Sequence, residues 1–92
     1  MDTPTQLAVA ELLREATGED AEWLARLGPA TRLDGDLFVD SLELTAFAER
    51  LAARFGPGVD LAGHIAGLGL DALLRLSIAD VASYVDAAGG TG

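Results

Sequence analysis

The sequence contains no cysteine and no lysine, and only five of its 92 residues are aromatic. Without cysteine, disulfides and thiolate–metal sites are excluded, and any reactive thiol has to arrive on a cofactor. Without lysine, six arginines are all that stands against fifteen acidic residues, and the formal net charge is −9. Contact with phosphate backbones needs a basic patch, so nucleic acid is not an expected partner, and neither is an anionic membrane surface. A partner with a basic docking surface would be drawn in, and the same acidity also keeps a small domain soluble. There is no strand-like alternation, no internal repeat and no apolar run long enough to span a bilayer. Met1 and the residues after it lack the positive region and apolar run of a signal peptide, so the cytoplasm is the expected compartment.

What is present is half apolar, mostly Leu and Ala, which favours helix. A chain of this length makes one domain over 1–92, with an ordered core at about 4–87 and a flexible tail at 88–92. A monomer is expected. Thr3-Pro4 reads as a helix start, Val9, Leu12, Leu13 and Ala16 as its buried face, and Gly18 as its end. Asp20 caps a short segment in which Trp23 and Leu27 lie one turn apart, and Gly28-Pro29 stops it. Trp23 reads as a packing residue. Leu33 and Leu37 are loop residues that plug the core, with Asp34-Gly35-Asp36 as a turn between them.

The clearest helix runs from about Ser41 to Phe55. Leu44, Phe47, Ala48, Leu51 and Phe55 form its apolar stripe, and Gly56-Pro57-Gly58 ends it. Beyond it, Asp60 caps a short helix through Ile65 and Asp71 another through Leu76, with Gly67 and Gly69 between them. Ser77-Ile78-Ala79-Asp80 is a capping box with Asp in place of Glu, opening a last helix through about Ala87 that buries Ile78, Val81 and Val85. The expected fold is all-α, a bundle of three longer helices with short helical pieces in the connections.

Chemistry concentrates at Phe38-Val39-Asp40-Ser41-Leu42-Glu43. Asp40 and Glu43 have the spacing of a reciprocal cap. If Asp40 caps the helix, Ser41 is its first residue and its hydroxyl is left over, pointing outward at the positive end of the helix dipole. Asp-Ser is also ordinary helix-start chemistry, so the tripeptide alone does not decide between a handle and a cap. His64 has no histidine or cysteine companion for a metal site, and nothing local orients a Ser41–His64–Asp triad.

The setting of the motif resembles the acyl carrier and peptidyl carrier proteins. The matching pieces are Leu33 and Leu37, then Asp40-Ser41-Leu42-Glu43, the helix ending in Arg54-Phe55, and Leu76-Ser77-Ile78-Ala79-Asp80-Val81-Ala82-Ser83-Tyr84-Val85. The resemblance implies a four-helix bundle whose third helix is short, here preceded by an extended, partly helical connection. It implies a protein that is not itself an enzyme. The serine matching Ser41 takes 4′-phosphopantetheine from coenzyme A, through a phosphopantetheinyl transferase with magnesium, and cargo then rides on the terminal thiol as a thioester. Asp40 would help the transferase recognise the serine, and Leu42 would lie on the docking face. Glu43, Thr45, Ala46 and Glu49 complete the expected partner-recognition set. The implied partners are an acyltransferase or adenylation enzyme and condensing or tailoring enzymes.

The chain departs from that family in three places. Phe38-Val39 stands where glycine usually precedes the serine, and Phe38 either plugs the bundle or forms a platform beside the arm. The helix after the serine carries Ala46, Ala52, Ala53, Arg50 and Arg54 in place of a strongly acidic face. This favours a free-standing polyketide or nonribosomal-peptide carrier over a fatty-acid synthesis carrier. The connection at 59–76 is long, and it either shapes a pocket or docking lip or covers the core with extra helical turns. The rival from another class is an unmodified helical adaptor docking through the face from Leu42 to Glu49.

Overall fold

In the computed structural model, which describes residues 3–37 and 39–90, helix α1 spans Pro4–Thr17. Thr3 is extended and its hydroxyl accepts the Gln6 N–H at 3.1 Å. Pro4 costs the helix nothing at its first position, where the missing N–H had no partner to lose. Val9, Ala10, Leu12 and Leu13 are buried, and Gly18 ends the helix at φ 73°. That left-handed conformation suits glycine and returns its N–H to the last turn.

Helix α2 is short, Ala21–Ala25, capped by Asp20, which accepts the Trp23 N–H at 2.9 Å. It stops before the expected Gly28-Pro29. The chain tightens there through Leu27 N–H to Leu24 C=O, and the Gly28 N–H goes to the Thr31 hydroxyl. Trp23, Leu24 and Leu27 lean on the core half-buried. The loop that follows is fastened to the start of the last helix. Leu33 N–H bonds Leu76 C=O at 3.0 Å, Ile78 N–H bonds Thr31 C=O at 3.0 Å, and Ala79 N–H bonds Pro29 C=O at 2.9 Å. Leu33 is buried and Leu37 half-buried, as plugs. Asp36 closes the turn by accepting the Arg32 backbone N–H at 2.8 Å and pairing with its guanidinium at 3.5 Å.

Helix α3, Ser41–Phe55, buries Phe47 and Leu51 and rests Leu44, Ala48 and Phe55 against the core. Arg50 reaches Glu15 of α1 at 3.8 Å. Helix α4, Leu61–Ala66, starts at Asp60, whose carboxylate accepts the Gly63 N–H at 3.0 Å. Helix α5, Leu70–Leu74, corrects the sequence reading at its start. The capping position is Gly69, which has no side chain to offer, and Asp71 lies inside the first turn. There it complements the positive helix end instead of capping it.

Helix α6, Ile78–Val85, opens with the expected box: Ser77 Oγ accepts the Asp80 N–H at 3.1 Å and Asp80 accepts the Ser77 N–H at 3.0 Å. Ile78, Val81, Ala82 and Val85 are buried. After α6 a π-helical turn continues over Asp86–Gly90, past the expected helix end at about Ala87. It is held by Thr5 Oγ1 donating to Asp86 at 2.7 Å and by Gly89 lying on Val59 and Phe55, where a Cβ would come within 3.2 Å of Val59. Residues 91–92 lie outside the described residues.

The architecture is therefore all-helical, with α1 packed on both α3 and α6 and three short helices in the connections. Val9, Leu13, Phe47, Leu51, Leu61 and Ile78 fill the centre, and no polar side chain is buried among the described residues. No described helix is long and apolar enough to cross a membrane. Phe47 is the largest fully buried side chain. Phe47→Ala should destabilise the fold by about 3–5 kcal/mol, read as a lowered denaturation midpoint at unchanged slope. The Arg32 backbone N–H, and then its guanidinium, hold the Asp36 carboxyl below its ordinary range. A lowered folded-state value means this contribution is present at neutral pH and is lost as pH falls through it. Asp36→Asn should therefore lower the denaturation midpoint at neutral pH, and the difference from wild type should vanish in acid.

Candidate functional site

The start of α3 is fixed by a reciprocal pair of hydrogen bonds. Asp40 is extended at φ −85° and ψ 177°, and its Oδ1 accepts the Glu43 N–H at 2.8 Å. Glu43 Oε1 in turn accepts the Asp40 N–H at 3.1 Å. Both carboxylates are thereby turned to the backbone.

Ser41 is the first residue of the helix and is exposed. Its carbonyl accepts the Thr45 hydroxyl at 2.9 Å, while its own Oγ has no hydrogen-bond partner among the described residues. The backbone N–H groups of Ser41 and Leu42 likewise have none there. A hydroxyl and two backbone N–H groups, none with a partner among the described residues, thus stand together at the positive end of a 15-residue helix. That arrangement suits a phosphate ester, whose negative oxygens gain about 0.3–1 kcal/mol from such an end.

The expected recognition residues share one face. Leu42, Thr45, Ala46 and Glu49 follow i, i+3, i+4 and i+7, opposite the stripe that enters the core. Leu42 is 83% exposed, Thr45 and Glu49 are exposed, and Ala46 is half-buried. Asp40 and Glu43 lie at the end of this face, engaged in the cap. Phe38, expected as plug or platform, lies outside the described residues.

Next to Ser41 the chain forms a feature whose partners the sequence reading did not assign. Val39 and Leu44, which flank the serine, line a cavity of about 300 Å³ together with Leu33 and Asp34. The far wall is Ile65, Leu70, Leu73, Leu74 and Leu76. Within residues 59–76, Val59, Leu61 and Leu76 enter the core, while the leucines of α5 line the cavity. Val39 carried no signal because an isolated apolar residue before a cap looks like any loop residue. A larger groove of about 590 Å³ lies between α1 and α2, lined by Leu7, Leu24, Leu27 and Arg54 among others, and holds none of the expected site residues.

His64 stacks on Tyr84 with ring centroids 4.2 Å apart and planes 17° apart. The Tyr84 hydroxyl accepts the Asp60 N–H at 2.8 Å. Among the described residues no group of three or more His, Cys, Asp or Glu side chains is placed to hold a metal ion. Comparison with protein-family models, with curated proteins and with solved structures found no match in any of the three.

The division of labour between Asp40 and Ser41 is open to measurement. Asp40→Ala should cost about 1 kcal/mol of stability through loss of the cap. Ser41→Ala should leave the denaturation midpoint within about 0.5 kcal/mol of wild type, because that hydroxyl holds nothing in place.

Proposed function

We propose that this chain is a carrier that holds acyl or aminoacyl groups as thioesters on a 4′-phosphopantetheine arm attached to Ser41. The observation that carries the reading is the Ser41 hydroxyl: exposed, unengaged, and first in a helix whose cap is made by its neighbours. The resemblance of Asp40-Ser41-Leu42-Glu43 and its flanking segments to acyl and peptidyl carrier proteins points the same way. On this reading α1, α3 and α6 are the long helices of a carrier bundle, and α4 with α5 fills the place of its short third helix.

Attachment would proceed on the transferase with magnesium. A bond forms between Ser41 Oγ and the phosphorus on the pantetheine side of the coenzyme A pyrophosphate. The pyrophosphate bond breaks, adenosine 3′,5′-bisphosphate leaves, and the serine proton passes to a base of the transferase. When bound, the arm supplies the thiol that a cysteine-free chain lacks, and the thioester keeps its acyl carbon activated for transfer. This chain's own part is to present the hydroxyl, to set the phosphate against the Ser41 and Leu42 N–H groups, and to offer Leu42, Thr45, Ala46 and Glu49 for docking. The weakly acidic, partly apolar docking face favours polyketide or nonribosomal-peptide partners: a loading acyltransferase or adenylation enzyme, then condensing or tailoring enzymes. The apolar cavity beside Ser41 is compatible with an acyl cargo.

The test is intact-mass measurement after incubation with coenzyme A, magnesium and a broad-specificity phosphopantetheinyl transferase. Wild type should gain the mass of one arm, and Ser41→Ala should gain none. An unchanged wild-type mass would contradict the carrier reading and favour an unmodified adaptor docking through the same face.

A further inference from the structure

Most of the six arginines in this acidic chain are already engaged. Arg14 pairs with Glu11, Arg32 with Asp36 and Arg50 with Glu15, and Arg54 lies over the Phe55 ring at 5.5 Å. Arg26 and Arg75 are the two whose guanidinium groups have no partner among the described residues. Arg75 follows α5, where its backbone closes the last turn and leaves the side chain free. It lines a cleft of about 400 Å³ between α4, α5 and α6. Sites for small molecules commonly measure about 300–1,000 Å³, so this one suits a small ligand.

His64 from α4 and Tyr84 from α6 line the same cleft. Their rings stack at 4.2 Å, and the Tyr84 oxygen is fixed by accepting the Asp60 N–H at 2.8 Å. That bond uses the phenol as an acceptor and leaves its own O–H to donate. Neither ring nitrogen of His64 has a hydrogen-bond partner among the described residues, and a neutral imidazole has one N–H to give. The Arg75 guanidinium brings five N–H donors. Asp80 is the one carboxylate in the lining, and its Oδ2 already accepts the Ser77 N–H at 3.0 Å. The rest of the wall is apolar: Leu68, Ala72 and the buried Leu76. Donors therefore outnumber acceptors here, in a chain whose net charge is −9.

A guanidinium fork matches a carboxylate through two parallel hydrogen bonds. A neutral ligand would leave the Arg75 charge unanswered, and a bare inorganic anion would leave the three apolar side chains uncovered. We propose that this cleft binds a carboxylic acid on a short apolar body. Arg75 takes the carboxylate, His64 and Tyr84 add hydrogen bonds, and Leu68, Ala72 and Leu76 cover the apolar part. The negative charge of the whole chain opposes any anion at long range. Physiological salt screens charges beyond about 8 Å, so the groups in contact decide. The site involves neither Ser41 nor any group attached to it.

Titration of the unmodified protein, followed by amide NMR shifts, tests this with three probes: hexanoate, its neutral isostere hexanamide, and inorganic phosphate. Hexanoate should give saturable shifts at Leu68, Ala72, Arg75 and Tyr84, and the other two should bind there at least about ten-fold more weakly, since hydrogen bonds to charged groups are worth that much. Arg75→Gln should weaken hexanoate by about ten-fold or more, and Tyr84→Phe by about five-fold. Arg26→Gln should leave it unchanged, as should Ser41→Ala. No saturable shift, hexanamide or phosphate binding as tightly as hexanoate, or equal effects of Arg75→Gln and Arg26→Gln would each overturn the proposal. Hexanoate shifts confined to Val39 and Leu44 would place the acid in the other cavity and overturn it too. None of these results would bear on whether Ser41 can be modified.

Discussion

The reciprocal cap between Asp40 and Glu43 is the interaction on which the arrangement around Ser41 depends. A helix needs its first N–H groups answered, and the residue that answers them is usually the one whose side chain oxygen sits at the boundary. Here Asp40 and Glu43 answer for each other's backbone, and the helix begins without help from the serine. The rotation of α3 is set by its apolar stripe: Phe47 and Leu51 point into the core and Leu42 points out.

The core around that helix is built from few residues and leaves the connections to find their own support. The loop at 29–33 bonds to the start of α6, so the segment leading to Ser41 is tied to the opposite end of the chain. The terminal turn at Asp86–Gly90 closes back on Val59, Phe55 and Thr5 in a similar way. By contrast, α5 buries none of its residues. Burial is thus concentrated in α1, α3 and α6, while α2 and α5 bury none of their residues and rest on the core only in part.

Much of this was legible in the sequence because its signals are local. The Thr3, Asp20, Asp40, Asp60 and Ser77 caps are each stated by a residue and its near neighbours, and the structure has all of them. The stripe from Leu44 to Phe55 states its own inward face. Asp71 misled because an acidic residue one place inside a helix looks the same in sequence as one at its cap. The helical path beyond Ala87 was not legible because Ala88, Gly89 and Gly90 have no pattern of their own, and the residues that Gly89 lies against, Val59 and Phe55, are remote in sequence. The cavity and the contacts of Tyr84 with Asp60 and His64 were hidden for the same reason: each joins residues that only the fold brings together. Tyr84 carried one faint signal, a polar tip in an apolar helix, since a phenol in such a place commonly seeks a partner.

The central claim is that Ser41, and no other hydroxyl, is the point of attachment. Thr45, Ser77 and Ser83 are the alternatives in or beside the same helices, and Thr45 and Ser77 already use their oxygens within the backbone. The most direct measurement is fragmentation mass spectrometry of the transferase-treated protein after cleavage at arginine. The added group should be found entirely on the peptide 33–50 and, within it, on Ser41. Addition at Thr45, Ser77 or Ser83, or no addition on any peptide, would contradict the account.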